Sequence, residues 1–287
     1  KEGIRYCYCT KVMHAKPLIE SFIPSRDIFF LKGGLLSILN TVLFLRKNFH
    51  YTYIGPHPSL STKLLAFFIG KPILSYSIEN KSRFIGDTVK NDILRLGLKA
   101  PKKPYNKFFI NPEIKRKPYI LIHKSAKRDW QTTRWPDDNW RQLLNKLLAN
   151  SEYDFVITGA NCEVNDLKNF LSLIDPKFYD RATYHINNSI EDIFSLVNNA
   201  EGVICHNSGI MHVANVAEKR TVVITGSSAL FWRINENRVI NVTSNECDAM
   251  CNKYRCPKDG YDSKCIKSIS VDSAYEAINN LFFNGNV

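Results

Sequence analysis

The apolar positions of this chain fall in short blocks whose period switches between that of strands and that of helices. Residues 4–9, 28–31, 51–54 and 73–76 are brief apolar runs that read as strands. Between them Leu35, Leu36, Ile38, Leu39, Val42, Leu43 and Leu45 recur at helical spacing behind a Gly33-Gly34 turn. Residues 60–69 form a further helix closed by Gly70, and residues 88–96 one closed by Gly97. Residues 18–23 read as a short helix or turn ending at Pro24, and Gly55-Pro-His-Pro58 as a loop. Residues 99–118 carry many Lys and Pro and little apolar periodicity, so they read as a linker.

The same alternation then resumes. Strands are expected at 119–123, 154–158, 183–186, 203–205 and 221–225, with helices at 164–174, 190–198, from 210 onward, and at 273–283. Pro136 suits the first turn of a helix, with Asp137 and Asp138 at its positive end and Leu143, Leu144, Leu147 and Leu148 as its buried stripe. Strands and helices alternating at this length predict two parallel, doubly wound sheets.

One stretch draws chemistry to itself: Gly202-Val-Ile-Cys-His-Asn-Ser-Gly-Ile-Met-His212. It reads as a buried strand, a tight polar turn at 206–209, and a helix start with Asn207 or Ser208 as N-cap. Such a turn aims bare backbone donors and the positive helix end at one spot, which suits a phosphate. An ordinary strand–helix turn with a capping serine is the plain alternative.

Charge sharpens the picture. The chain of 287 residues has a net charge of +12, and it is unevenly placed. Residues 1–117 hold 21 Lys and Arg against 7 Asp and Glu, whereas residues 118–287 hold 18 against 20. The basic part points to an anionic partner. No RNA- or DNA-binding motif favours nucleic acid. No apolar run reaches membrane-span length, residue 1 opens no signal peptide, and there is no initiator Met, so the natural start is expected to lie upstream.

Asn207-Ser-Gly-Ile-Met-His-Val-Ala214 resembles the (Asp/Asn)-(Ser/Thr)-Gly-x-x-His-hydrophobic-Ala signature of the ADP-heptose:lipopolysaccharide heptosyltransferases, glycosyltransferase family 9. Arg134-Trp-Pro-Asp-Asp-Asn-Trp140, Thr158-Gly-Ala-Asn-Cys-Glu163 and a cysteine-rich tail are similar to further stretches of that family, in the same order. The resemblance covers the C-terminal half well and the N-terminal half loosely. It implies a GT-B fold of two Rossmann-like α/β domains facing a cleft, here 1–114 on the acceptor side and 115–287 on the nucleotide-sugar side. It also implies that the first strand of the N-terminal domain is missing, and with it the Gly-Asp loop that carries the family's general base, so no catalytic residue is assigned.

By the same resemblance, Asn207, Ser208, Gly209 and His212 hold the diphosphate of an ADP-sugar, and Glu163 lies at the nucleoside. Physically, Ser208 and Gly209 offer N–H groups and His212 a ring donor, while a carboxylate beyond a strand's C-terminal end suits ribose hydroxyls. His212 as a partly buried residue without a ligand, and Glu163 as an acid that steadies its own helix, stay open. Asn207 stands where many relatives carry Asp. The loop Lys124-Ser125-Ala-Lys127-Arg128-Asp-Trp-Gln-Thr-Thr133 is the other phosphate candidate, because its cations can neutralise a diphosphate leaving group. Thr133 occupies the place of a Lys common in relatives.

Four of the eight cysteines, Cys247, Cys251, Cys256 and Cys265, fall within nineteen residues. Such close spacing suggests a structural Zn²⁺ more than disulfides, with two disulfides or four thiols as the alternatives. The function expected is transfer of a heptose from an ADP-sugar to the anionic inner core of lipopolysaccharide, in the cytoplasm and peripheral to the inner membrane. A GT-B transferase with another donor or acceptor, and a non-catalytic relative that binds a nucleotide sugar or glycan, are the alternatives.

Overall fold

The computed structural model describes residues 8–10, 28–30, 35–50, 52–54, 60–75, 117–125, 133–187, 189–226, 234, 237–244, 246, 256 and 263–284. The chain divides into two compact units, Lys1–Ala100 and Pro101–Val287, and the division falls inside the Lys- and Pro-rich stretch.

In the first unit, β1 (Tyr8–Thr10) pairs in parallel with β2 (Ile28–Phe30). Likewise β3 (Thr52–Ile54) pairs with β4 (Ile73–Ser75). Helices α1 (Leu35–Asn48) and α2 (Leu60–Ile69) meet over Val42, Leu45 and Ile69, with Phe44, Phe49 and Leu65 packed around them. Gly70 ends α2 at φ 63°, the left-handed closure expected of a glycine there. The helix expected at 88–96, the short element at 18–23 and most of the linker lie outside the described residues.

The second unit is a single parallel sheet. Its strands are β5 (Tyr119–His123), β6 (Asp154–Ala160), β7 (Ala182–Asn187), β8 (Gly202–His206), β9 (Arg220–Ile224) and β10 (Val239–Val242). Their spatial order is β10-β9-β8-β5-β6-β7. Counted within the unit this is 3-2-1-4-5-6 read from the β7 edge, the dinucleotide-fold order, and it reverses direction between β5 and β8.

Strand side chains alternate between two cores, which is why these runs are apolar throughout. Ile120, Ile122, Phe155, Ile157, Ile204, Val222 and Ile224 face one side. Tyr119, Leu121, Val156, Val203, Cys205 and Val223 face the other. The first side is covered by α3 (Asp137–Asn150), α4 (Val164–Ser172) and α8 (Val271–Ile278). The second is covered by α5 (Ile190–Asn199) and α6 (Gly209–Val216). Helix α3 buries Trp140 besides the four leucines of its stripe, and Pro136 sits at its N-cap, one position before the first turn.

The strand β10, the short helix α7 (Lys264–Lys267) and the single-turn helices Asn161–Glu163 and Pro176–Arg181 are not prefigured by apolar periodicity. The last helix continues from α8 into a π-helical turn, Asn279–Phe283, whose Phe282 lies against the start of β8. A Cβ on Gly202 would stand 2.3 Å from the Phe282 ring, so this strand must open with glycine. Arg220 fixes the same corner by donating to the Leu281 carbonyl at 3.0 Å.

Candidate functional site

Parallel strands all present their C-terminal ends on one edge, and at the reversal point β5 and β8 end in His123 and His206, with His123 in register with Cys205. Beyond β8 the chain turns through Asn207 and Ser208 into α6, whose first residue is Gly209. Ile210, Met211 and Ala214 anchor the helix in the core, while Gly209 and His212 stay exposed. A Cβ on Gly209 would meet no atom of the described residues within 4 Å. Among these residues packing therefore places no demand for glycine here, and the space above the helix start is open. The protein beneath His212 draws its pKa below the ordinary histidine value by desolvation, although the residue itself is exposed.

Ser208 is the N-cap residue, yet its side chain makes no capping bond. Its Oγ lies 3.3 Å from Nδ1 of His123 instead. Burial pushes the His123 pKa down to about 4, with the Glu163 carboxylate pulling the other way. His123 is therefore a neutral hydrogen-bonding group at ordinary pH. Part of the residue reaches the surface.

His206 closes the strand rather than belonging to the polar turn expected at 206–209, and it is fully buried. Its Nε2 accepts the backbone N–H of Trp135 at 3.0 Å and the indole N–H of Trp140 at 3.3 Å. Both indoles stand edge-on: Trp135 against Trp140 at 5.3 Å and Trp140 against His206 at 5.1 Å. Trp135 further donates from its indole to the Ile269 carbonyl at 2.9 Å. The Arg134–Trp140 motif is thus a buried aromatic clasp on the end of β8. The pKa of His206 is pushed down to about 3, by burial first and then by the charges of His123, Arg134 and Lys124; the Lys124 backbone alone favours the charged ring.

The loop after β5 opens with Lys124 and Ser125, both buried. The Lys124 ammonium is held by Asp137 at 2.9 Å and Asp166 at 2.8 Å, and it lies 5.1 Å from the Phe170 ring centre. Two of its three protons are so committed to carboxylates of α3 and α4. Thr133 is buried at the far end of the loop. Lys127 and Arg128 lie outside the described residues.

Glu163 accepts the Ala160 N–H on Oε2 at 2.8 Å, and that oxygen is 3.0 Å from where a Cβ on Gly159 would stand. The acid so steadies its own turn at the end of β6 while remaining half-exposed. Of the tail cysteines, Cys256 and Cys265 are buried, and Cys247 and Cys251 lie outside the described residues. Among the described residues no three His, Cys, Asp or Glu side chains converge as metal ligands. Sequence reasoning passed over His123 and His206; the one available signal was a histidine ending each of two apolar runs.

A model of glycosyltransferase family 9 (heptosyltransferase) matches residues 88–262. Among solved structures, the chain is similar to E. coli ADP-heptose lps heptosyltransferase II, with a TM-score of 0.68 and 16% identity, covering 96% of this chain and 88% of that one. It is similar to E. coli heptosyltransferase WaaC with ADP, with a TM-score of 0.62 and 13% identity over 97% and 91% of the two chains. A glycosyl transferase family 9 structure from Veillonella parvula gives a TM-score of 0.60 and 14% identity over 90% and 82%. These likenesses show a GT-B fold. No curated protein matches the chain.

Proposed function

The chain belongs to glycosyltransferase family 9, the heptosyltransferases, and from that premise we propose that it moves a heptose from an ADP-activated sugar to the anionic inner core of lipopolysaccharide, with inversion. In this reaction an acceptor hydroxyl attacks the anomeric carbon as the carbon–oxygen bond to the diphosphate breaks. The electron pair leaves with ADP, and the hydroxyl proton passes to a carboxylate base.

One observation carries the donor side of the reading. The start of α6 stands at the point where the sheet order reverses, with space over Gly209 that no described residue fills and the first helical amides facing it. A diphosphate there gains the N–H groups of Gly209 and Ile210, the positive end of the helix, and the ring of His212. Asn207 and Ser208 flank it, and we assign Glu163, at the end of β6, to the nucleoside. Lys124, Ser125, Lys127, Arg128 and Thr133 belong to the loop on the leaving-group side. Of these, Lys124 acts through Asp137 and Asp166. ADP and ADP-2-deoxy-2-fluoro heptose, named with the E. coli WaaC structures, support a nucleotide donor of this kind.

The excess of Lys and Arg in residues 1–117 supports an anionic acceptor and peripheral association at the cytoplasmic side of the inner membrane. No helix among the described residues is long and apolar enough to cross a membrane. The cysteine cluster enters as a structural Zn²⁺ site.

The deciding experiment incubates the full chain with a lipopolysaccharide inner-core acceptor and a panel of nucleotide sugars, and analyses the products by mass spectrometry. Heptose transfer from the ADP-sugar alone is expected. Transfer from a uridine- or guanosine-linked sugar, or from none, refutes the reading.

A further inference from the structure

Three helices of the second unit start at a serine in extended conformation, and one of these serines leaves its helix uncapped. Ser189, at φ −144° and ψ 171°, accepts the Asp192 N–H on its hydroxyl at 3.2 Å. Ser270 accepts the Ser273 N–H at 3.0 Å. Ser208, at φ −148° and ψ 176°, has nearly the backbone of Ser189 and makes no such bond. Nothing in its conformation forbids capping, and a serine cap is ordinarily favourable. Its hydroxyl is drawn elsewhere, to the His123 ring at 3.3 Å. Meanwhile the Met211 N–H, the one a serine cap takes in the other two helices, turns back on the Ser208 carbonyl at 3.1 Å, and the Gly209 and Ile210 amides, as the first two of the helix, have no intrahelical partner.

From this contrast we infer that His123 is a positioning residue: by holding the Ser208 hydroxyl at the end of β5 it keeps that oxygen out of the donor diphosphate's approach to the start of α6. The inference rests on the ADP-sugar reading above. A hydroxyl turned in to cap, as in the other two helices, would lie over the Met211 N–H and set its oxygen lone pairs in front of an incoming phosphate. Held by His123, the same hydroxyl stands beside the site. When the ring proton is on Nδ1, the ring donates to Oγ, and the serine proton is then available to a phosphate oxygen. This hold needs only a proton on Nδ1, and burial keeps the ring otherwise uncharged at ordinary pH.

The test is a set of ADP titrations by calorimetry on the full chain, with thermal unfolding of each variant alongside. H123L keeps an apolar body in place and removes the hold; it is expected to weaken ADP binding about tenfold, the scale of one hydrogen bond to a charged group. H123N puts a polar atom near the place of Nδ1 and is expected to restore affinity to within about threefold of the original. In an S208A background, which has no hydroxyl to misplace, H123L is expected to cost less than about threefold, a non-additivity that general loosening of the fold does not produce. An H123L effect of equal size with and without S208A overturns the proposal. So does a folded H123N that binds about tenfold more weakly than the original, and this arm decides even where H123L does not fold. Unaltered protein that binds no ADP sinks the donor-site reading and the inference together, a result distinct from either of those.

Discussion

The backbone N–H of Trp135 donates to Nε2 of His206 at 3.0 Å, across 71 positions of sequence. Because Trp140 donates to the same nitrogen, Nε2 carries no proton, and the network assigns the ring's hydrogen to Nδ1. Nδ1 itself is buried, with no partner at hydrogen-bond distance among the described residues. The ring thus serves as an acceptor that ties the loop before α3 to the end of β8. Replacing it by leucine strands two buried N–H groups, each costing about 1–3 kcal/mol. His206→Leu is expected to lower unfolding stability by about 2 kcal/mol or more, and His206→Gln by less, because its amide oxygen can still accept. Urea denaturation of the three proteins checks this.

The two strand-end histidines also predict the direction of acid sensitivity. Their folded pKa values, about 4 for His123 and about 3 for His206, lie below the ordinary 6.5. Between those values the unfolded chain binds more protons than the folded one, so stability rises with pH. Their contribution is complete above about pH 6.5 and is lost as the pH falls toward 4, by up to about 1.4 kcal/mol per unit for each ring. Part of His123 reaches solvent, so His206 carries the larger share. Melting temperatures measured from pH 8 to pH 5 should fall, and the fall should be shallower in His206→Gln.

Gly209 separates binding from folding. Since no atom of the described residues lies within 4 Å of the added Cβ, Gly209→Ala should fold with an equal or slightly higher melting temperature, as alanine is the better helix former. A methyl group in the path of the diphosphate should weaken ADP about tenfold or more. Calorimetry and thermal unfolding on the same sample check both halves; unchanged ADP affinity would remove the start of α6 from the donor site.

Lys124 predicts an asymmetry. Its side chain is 3% exposed, whereas those of Asp137 and Asp166 are 64% and 58% exposed. Lys124→Met removes a buried charge and returns two carboxylates to water, so stability should change by less than about 1 kcal/mol in either direction. The double change Asp137→Asn with Asp166→Asn strands a buried ammonium and should cost about 3–5 kcal/mol. Denaturant midpoints for both variants decide; equal losses would refute the account.

For the cysteines, a four-thiolate Zn²⁺ site predicts about one metal per chain in reduced, purified protein. Native mass spectrometry that finds none rejects the site and leaves Cys256 and Cys265 as core residues, which their burial already allows.

Much of the second unit could be read from the chain, for a simple reason. Its strands are buried on both faces, so Tyr119–His123 and Gly202–His206 show as unbroken apolar runs. Helices such as α3 carry a four-leucine stripe that admits one reading. The strand Val239–Val242 went unread because its Asn241 breaks the run, and an edge strand tolerates that. The site was legible in its backbone and not in its side chains. Asn207 to Gly209 announce a turn and a helix start, but whether Ser208 caps the helix depends on His123, which arrives from a strand 85 positions away. Lys124 looked like a phosphate ligand from sequence. Only the fold shows Asp137 and Asp166 gathered on its ammonium.

The corner where Phe282 covers Gly202 sets an order of events during synthesis. Strand β8 begins at a glycine because a ring from the last helical turn must lie on it, and the Arg220 guanidinium must find a carbonyl at Leu281. Neither partner exists while the ribosome is still making the middle of the chain. The first unit emerges early and has its own small core of Val42, Leu45 and Ile69 to fold around. The six-stranded sheet, by contrast, cannot close over β8 until residues 279–283 have left the exit tunnel. Until that moment the strand that will present Asn207, Ser208 and Gly209 keeps an apolar face uncovered, and a nascent chain stalled before its last helix would offer that face to chaperones or to its neighbours.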